Sequence, residues 1–168
     1  IFPIEKLVFS SRAKYLSKKI NMINFKNEGI NVLSLFDGIS CAKLALERAG
    51  IKINKYYSSE IDKSALAIQK HHYGNDSNFI QLGDVKNISG IDLCDEIDLV
   101  VFGSPCTNLS SINPIDRRGL EGTESKLFYE ALRILKEIYV FQPTSKKLYF
   151  LMENVASMKA VDRDKITE

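Results

Sequence analysis

Between Asn31 and Met152 the chain repeatedly alternates a short strand-like run, apolar in most cases, with a longer helix-like segment. The runs are Val32–Phe36, Lys55–Ser59, Phe79–Leu82, Ile97–Phe102 and Lys147–Met152. Their lengths fit buried strands. Between them, Cys41–Ala49 reads as a helix with Gly50 just past its end. A second helix runs from the N-cap Asp62 to about His72, and a long one covers Ser125–Phe141. In the long helix Leu127, Phe128, Ala131, Leu132, Leu135 and Ile138 are expected on one side. A further helix is expected from Asp162. Strands that alternate with helices of this length form a parallel sheet, because the chain must return to the same sheet end each time. An α/β domain with helices on both faces of the sheet is therefore expected.

Composition bounds the rest. With 168 residues, 45% hydrophobic and 26% charged, there is material for one domain with a real core but not for two ordinary ones. The net charge of +2 is neutral on the question of a nucleic-acid partner. No apolar run reaches the roughly 18 residues that a membrane span needs. Cys41, Cys94 and Cys106 are odd in number and lie far apart, so neither a disulfide framework nor a zinc site is expected. An intracellular, reducing setting fits best, cytoplasmic for a bacterial or phage source and nuclear for a eukaryotic one. The chain starts at Ile1 without a signal-peptide pattern, and it is expected to begin inside a longer protein.

Residues 1–30 stand apart as a basic segment. Lys6, Arg12, Lys14, Lys18, Lys19 and Lys26 face only Glu5 and Glu28. Tyr15, Leu16, Ile20 and Ile23 recur at helical spacing, so a short amphipathic helix is expected there. Its charged side reads first as the solvated face of a docking helix, with phosphate-backbone contact as the alternative. Residues 31–168 form the main domain.

In an open parallel sheet, ligands gather beyond the carboxyl ends of the strands. There the chain places Phe36-Asp37-Gly38-Ile39, Glu60-Ile61, Gly83-Asp84-Val85, Gly103-Ser104-Pro105-Cys106 and Glu153-Asn154. Gly38 lets a ligand approach the backbone closely, before a helix N-terminus with free N–H groups. Glu60 follows Asp37 by 23 residues, near the spacing at which an acidic residue grips ribose hydroxyls. Asp84 can accept from an adenine amino group. Each has a plainer reading too, since Asp-Gly is a common turn and an acidic residue before a helix is often a cap. The dinucleotide fingerprint GxGxxG is missing, which weakens a nicotinamide cofactor. Cys41 and Cys94 read as small core residues. Cys106 differs, because it follows Pro105 in a turn at the sheet edge where a thiolate can be stabilised. With Glu153 on the next strand end, it points to covalent group transfer from an adenosine cofactor.

Phe36-Asp37-Gly38, Ser59-Glu60, Gly83-Asp84-Val85, Gly103-Ser104-Pro105-Cys106, Gly122–Phe128 and Glu153-Asn154-Val155 resemble, in order, the motifs of the S-adenosylmethionine-dependent DNA cytosine-5 methyltransferases. The resemblance spans about residues 31–160. The run Ser110–Thr123 looks most like the active-site loop of the de novo eukaryotic branch and its phage and bacterial relatives. It implies a Rossmann-like, doubly wound, mainly parallel sheet, the class I methyltransferase fold, here in truncated form.

By that resemblance Cys106 is the nucleophile that adds to C6 of a flipped cytosine, and Glu153 binds its N3 and amino edge. Phe36, Asp37, Gly38 and Ile39 surround the methionine part of the cofactor. Glu60 takes the ribose, Ile61 walls the adenine, and Asp84 and Val85 meet its edge. Pro105 and Leu127 are further cofactor contacts. Ser110, Ile112, Arg117 and Arg118 are DNA contacts of the loop, with Ile112 as an apolar wedge into the space left by the flipped base. S-adenosylhomocysteine is the product, and double-stranded DNA the partner.

The chain departs from the family in two ways. Thr107-Asn108 stands where many members carry Gln. The arginine-bearing motif, the target recognition domain and the late Gly-Asn-Ser motif are absent, so a C-terminal half or second chain is expected to supply them. Two alternatives stay open: a tRNA cytosine-5 methyltransferase, and an inactive regulatory subunit of a DNA methyltransferase. Restriction–modification is one biological setting such an enzyme serves.

Overall fold

The computed structural model describes residues 29–94, 96–103 and 127–153. The basic segment with its expected Arg12–Ile23 helix lies outside them, as do the helix expected from Asp162, Pro105, Cys106 and the loop residues Ser110, Ile112, Arg117 and Arg118.

Five strands form one sheet: β1 (Ile30–Leu35), β2 (Ile53–Ser59), β3 (Phe79–Gln81), β4 (Leu99–Phe102) and β5 (Tyr149–Met152). Their order is β3-β2-β1-β4-β5, and every pairing is parallel. The expected strands are all present; β1 and β2 begin two residues earlier than expected, and β3, β4 and β5 are shortened at one end. The ladder continues past those ends, with Leu82 N–H donating to Ser58 (2.7 Å) and Asp98 N–H to Asn31 (2.9 Å).

Among the described residues three α-helices connect the strands: α1 (Cys41–Arg48), α2 (Lys63–Tyr73) and α3 (Leu127–Phe141). Asp62 caps α2 as expected, its carboxylate accepting from Ala65 N–H at 2.8 Å. Past α1, Gly50 takes φ +78° and its N–H closes on Glu47 O, a left-handed stop that glycine adopts without strain.

The two sheet faces bury different residues because side chains alternate along a strand. On one face Leu33, Leu35, Tyr57, Val100 and Phe102 pack with Phe128, Ala131, Ile134 and Ile138 of α3. On the other Ile30, Val32, Tyr56 and Leu99 meet Leu46, Ile51 and Phe79. Towards the carboxyl ends this second face turns polar, with Ser34, Ser58 and Gln69 all buried. Arg133 of α3 reaches the carbonyl of Ile88 (3.0 Å), and Glu137 accepts from Gly90 N–H (2.8 Å), so the turns after β3 are tied down on α3.

Two expectations are corrected. Cys41 is exposed rather than core: α1 buries Ser40 and Lys43 in the same turn, so position 41 falls on its outer side. Cys94 is buried as expected. In α3, Leu132 is exposed and Ile134 is buried instead. At 3.6 residues per turn, Leu132 lies roughly 100° round from the middle of the Phe128–Ala131–Ile134–Ile138 face.

Candidate active site

Strand order reverses between β1 and β4, the point where an open α/β sheet holds its ligands. Ser59, Leu35, Phe102 and Met152 are aligned across four strands by the parallel register. The residues that follow them, Glu60, Phe36, Gly103 and Glu153, therefore stand side by side along one edge. At about 4.8 Å between strands the row spans roughly 14 Å.

The turn after β1 is sharply bent. Phe36, Gly38 and Ser40 all have positive φ, at 56°, 57° and 65°. For Phe36 and Ser40 this is an uncommon backbone that surrounding contacts must hold. The carboxylate of Asp37 supplies them. Its Oδ1 accepts from Ser34 Oγ (2.6 Å) and the Tyr56 hydroxyl (2.7 Å). Its Oδ2 accepts from Ser40 Oγ (2.5 Å), Ser58 Oγ (2.7 Å) and Gln69 Nε2 (3.2 Å). Burial, and then the Asp37 charge, push the Tyr56 hydroxyl far up, so it remains a donor. Sequence reasoning missed this ring of donors. The available signal was a serine at a buried position in each of two strands, and a glutamine four residues after Ala65 on the inner face of α2.

Glu60 joins two turns. Oε2 accepts from Gly38 N–H at 2.7 Å, and Oε1 from Ile61 N–H (2.7 Å) and Asp62 N–H (2.8 Å). Nothing lies within 4 Å of where a Cβ on Gly38 or Gly83 would stand, so both turns border open space. Ile39 and Ile61 expose apolar side chains beside it. Asp84 accepts from Lys86 N–H (3.0 Å), while Val85 is buried in the core and its carbonyl accepts from Ile88 N–H (3.2 Å). Leu127 opens α3 and packs half-buried on the same core. Glu153 has an exposed side chain, and its N–H donates to Phe102 O at 3.0 Å. A Cβ on Gly103 would lie 3.0 Å from its Oε2, so β4 leaves the sheet against this carboxylate.

The described residues thus define a doubly wound α/β domain with an acidic, glycine-turned crevice at its switch point. Solved structures share this fold. A putative RNA methyltransferase from Pyrococcus horikoshii superposes with a TM-score of 0.55 at 18% identity, over 93% of this chain and 63% of that one. An rRNA methylase from Streptococcus thermophilus does so at 0.52 and 14% identity, over 96% of this chain and 84% of that one. The class is the Rossmann-like methyltransferase fold expected from the motifs.

The chain belongs to the C-5 cytosine-specific DNA methylases, whose family model matches residues 30–168. It is 38% identical over 119 residues to DNA (cytosine-5)-methyltransferase DRM2 of Arabidopsis thaliana, covering 66% of this chain and 19% of that protein. It is 37% identical over 118 residues to DRM1A of Oryza sativa subsp. japonica, covering 66% and 25%. It therefore spans about a fifth to a quarter of the curated relatives that it matches.

Proposed function

We propose that this chain is the cofactor-binding and catalytic portion of a DNA cytosine-5 methyltransferase, with S-adenosylmethionine as its donor and S-adenosylhomocysteine as product. The observation that carries the reading is the row Glu60, Phe36, Gly103 and Glu153 along one sheet edge at the switch point, in a member of this family. The row is about as long as a nucleoside joined to an amino acid, and the residues fit such a ligand. Glu60 offers a carboxylate to a ribose diol. The open space over Gly38 admits the methionine part beside Phe36, Asp37 and Ile39. Exposed Ile61 suits an adenine face, with Asp84 and the Val85 backbone at its edge. Pro105 and Leu127 complete the pocket.

S-adenosylmethionine supplies an electrophilic methyl group on a sulfonium. The chain's own residues prepare the acceptor. The Cys106 thiolate adds to C6 of a cytosine drawn out of the duplex, which places electron density on C5. Glu153 holds the N3 and amino edge, favouring protonation at N3 as that addition proceeds. After transfer, a base removes the C5 proton and Cys106 is expelled by β-elimination. Ser110, Arg117 and Arg118 contact the backbone or groove, and Ile112 fills the vacated space. Double-stranded DNA is the substrate, read by a recognition segment in a C-terminal half or a second chain.

A duplex with 5-fluorocytosine tests the reading, because fluorine at C5 blocks release of the enzyme. Incubated with S-adenosylmethionine, the full chain with any partner should form a covalent adduct at Cys106 that Cys106→Ala abolishes. An adduct on tRNA but not on DNA moves the activity to RNA. No adduct on either favours the regulatory subunit.

A further inference from the structure

Gln69 has no part in the motifs described so far, yet it is 2% exposed and sits directly behind the turn that borders the crevice. Its Nε2 donates to the carbonyl of Gly38 at 2.7 Å, and also lies 3.1 Å from Ser58 Oγ and 3.2 Å from Asp37 Oδ2. A carbonyl and a carboxylate only accept, so the NH2 end of the amide must face them. The other end is fixed from outside the core. Gln81 Nε2 donates to Gln69 Oε1 at 2.7 Å, while Gln81 Oε1 accepts from Gly83 N–H at 3.3 Å. Gly38 is held on its opposite side as well, where its N–H donates to Glu60 at 2.7 Å.

A continuous chain of hydrogen bonds therefore runs from Gly83 through Gln81 and Gln69 to Gly38 and on to Glu60. It links the three strand ends that the cofactor reading assigns to adenine, the methionine part and ribose. Glycine is the residue least able to hold its own backbone orientation, and Gly38 is fastened by one bond on each side.

We infer that Gln69, oriented by Gln81, is a positioning residue that sets the Gly38 peptide for cofactor binding. Gln69 acts from beneath the pocket and touches no ligand itself. The inference rests on the proposed cofactor, and its test separates the two.

In the full chain, Gln69→Met keeps length and burial but removes the amide. Its affinity for S-adenosylhomocysteine, measured by titration calorimetry, should fall about tenfold, the loss expected for one network hydrogen bond of about 1.4 kcal/mol. In turnover, KM for S-adenosylmethionine should rise by a similar factor, with kcat at saturation kept within about twofold. Gln81→Ala, at an exposed position, should weaken affinity about threefold, because it frees the amide without emptying the core. Unchanged affinity in a folded Gln69→Met overturns the inference, as does a fall in kcat with KM unaltered. Should Gln69→Met not fold, unchanged affinity in Gln81→Ala overturns it. A wild-type chain that binds no S-adenosylhomocysteine overturns the cofactor reading, and the inference with it.

Discussion

The carboxylate of Glu153 rests against the bare α-carbon of Gly103, with room for a methyl group only if it yields: a Cβ there would meet Oε2 at 3.0 Å. Gly103→Ala therefore displaces a carboxylate rather than a core side chain. If Glu153 holds the cytosine edge, a shift of a few tenths of an ångström should slow single-turnover methyl transfer about tenfold. The melting temperature should barely move. A full-rate Gly103→Ala enzyme would separate Glu153 from the reacting base.

Gly38→Ala meets no steric obstacle but must hold φ +57° with a side chain. The left-handed backbone should cost about 1 kcal/mol of stability. The new methyl also enters the open space assigned to the cofactor. Thermal melts with and without S-adenosylhomocysteine should show a small drop in the free protein and a larger loss of ligand stabilisation.

Tyr56 is fully buried, and its hydroxyl serves Asp37. Tyr56→Phe removes one of several donors and should cost about 1–2 kcal/mol in urea unfolding. Asp37→Asn is worse, since it turns an NH2 group towards hydroxyls and an amide that need an acceptor. About 3 kcal/mol is expected, from more than one donor left unsatisfied. Equal effects of the two substitutions would show that Asp37 does not anchor the turn.

Lys43 is buried on α1, with its ammonium 2.5 Å from Glu47, 3.2 Å from Asp76 and 4.8 Å from the Tyr73 ring centroid. Burial alone would lower its pKa, but hydrogen bonds to Glu47 and Asp76 and their charges raise it overall. Lys43→Ala should cost about 2 kcal/mol through lost packing and pairing. Lys43→Met keeps the stem and should recover more than half of that. Chemical denaturation of both variants decides whether the charge or the chain stem matters more.

At the opposite edge of the sheet, Tyr57 and Lys55 both donate to Glu96 and hold its carboxyl below the ordinary glutamate range. A lowered folded pKa gives stability that is complete above the unfolded value and is lost as pH falls through the folded one. Wild type should therefore lose stability below the ordinary glutamate range, and Glu96→Gln should flatten that acid limb. The effect will be small because Lys55 and Glu96 are largely solvated. A steeper limb in the variant would contradict the pairing.

The strands were legible because length, turn residues and flanking helices all agree on them. Glu60 and Glu153 were legible because position alone, the first residue beyond a strand, brings them to the edge. The donors around Asp37 were not, because Ser34, Ser58 and Gln69 look like surface residues until the sheet closes over them. Nor could spacing alone show that Asp37 spends its carboxylate inward. Leu132 was misplaced because an amphipathic pattern marks a stripe without marking its centre. Cys41 was misplaced because a composition rule for thiols ignores which side of a helix a position occupies.

The central strand of this sheet also sets an order of assembly. β1 lies between β2, its near neighbour in sequence, and β4, so that Asn31 bonds to Asp98 across 67 positions of chain. During synthesis β1, β2 and β3 can associate early, but the second wall of the crevice arrives only once β4 has emerged. Until then the seam of β1 is an open, aggregation-prone edge, and the glycine turn above it has only one side of its cleft. The ligand-binding seam thus closes only when the β3-β2-β1 half is already made, which ties the birth of the site to the arrival of β4.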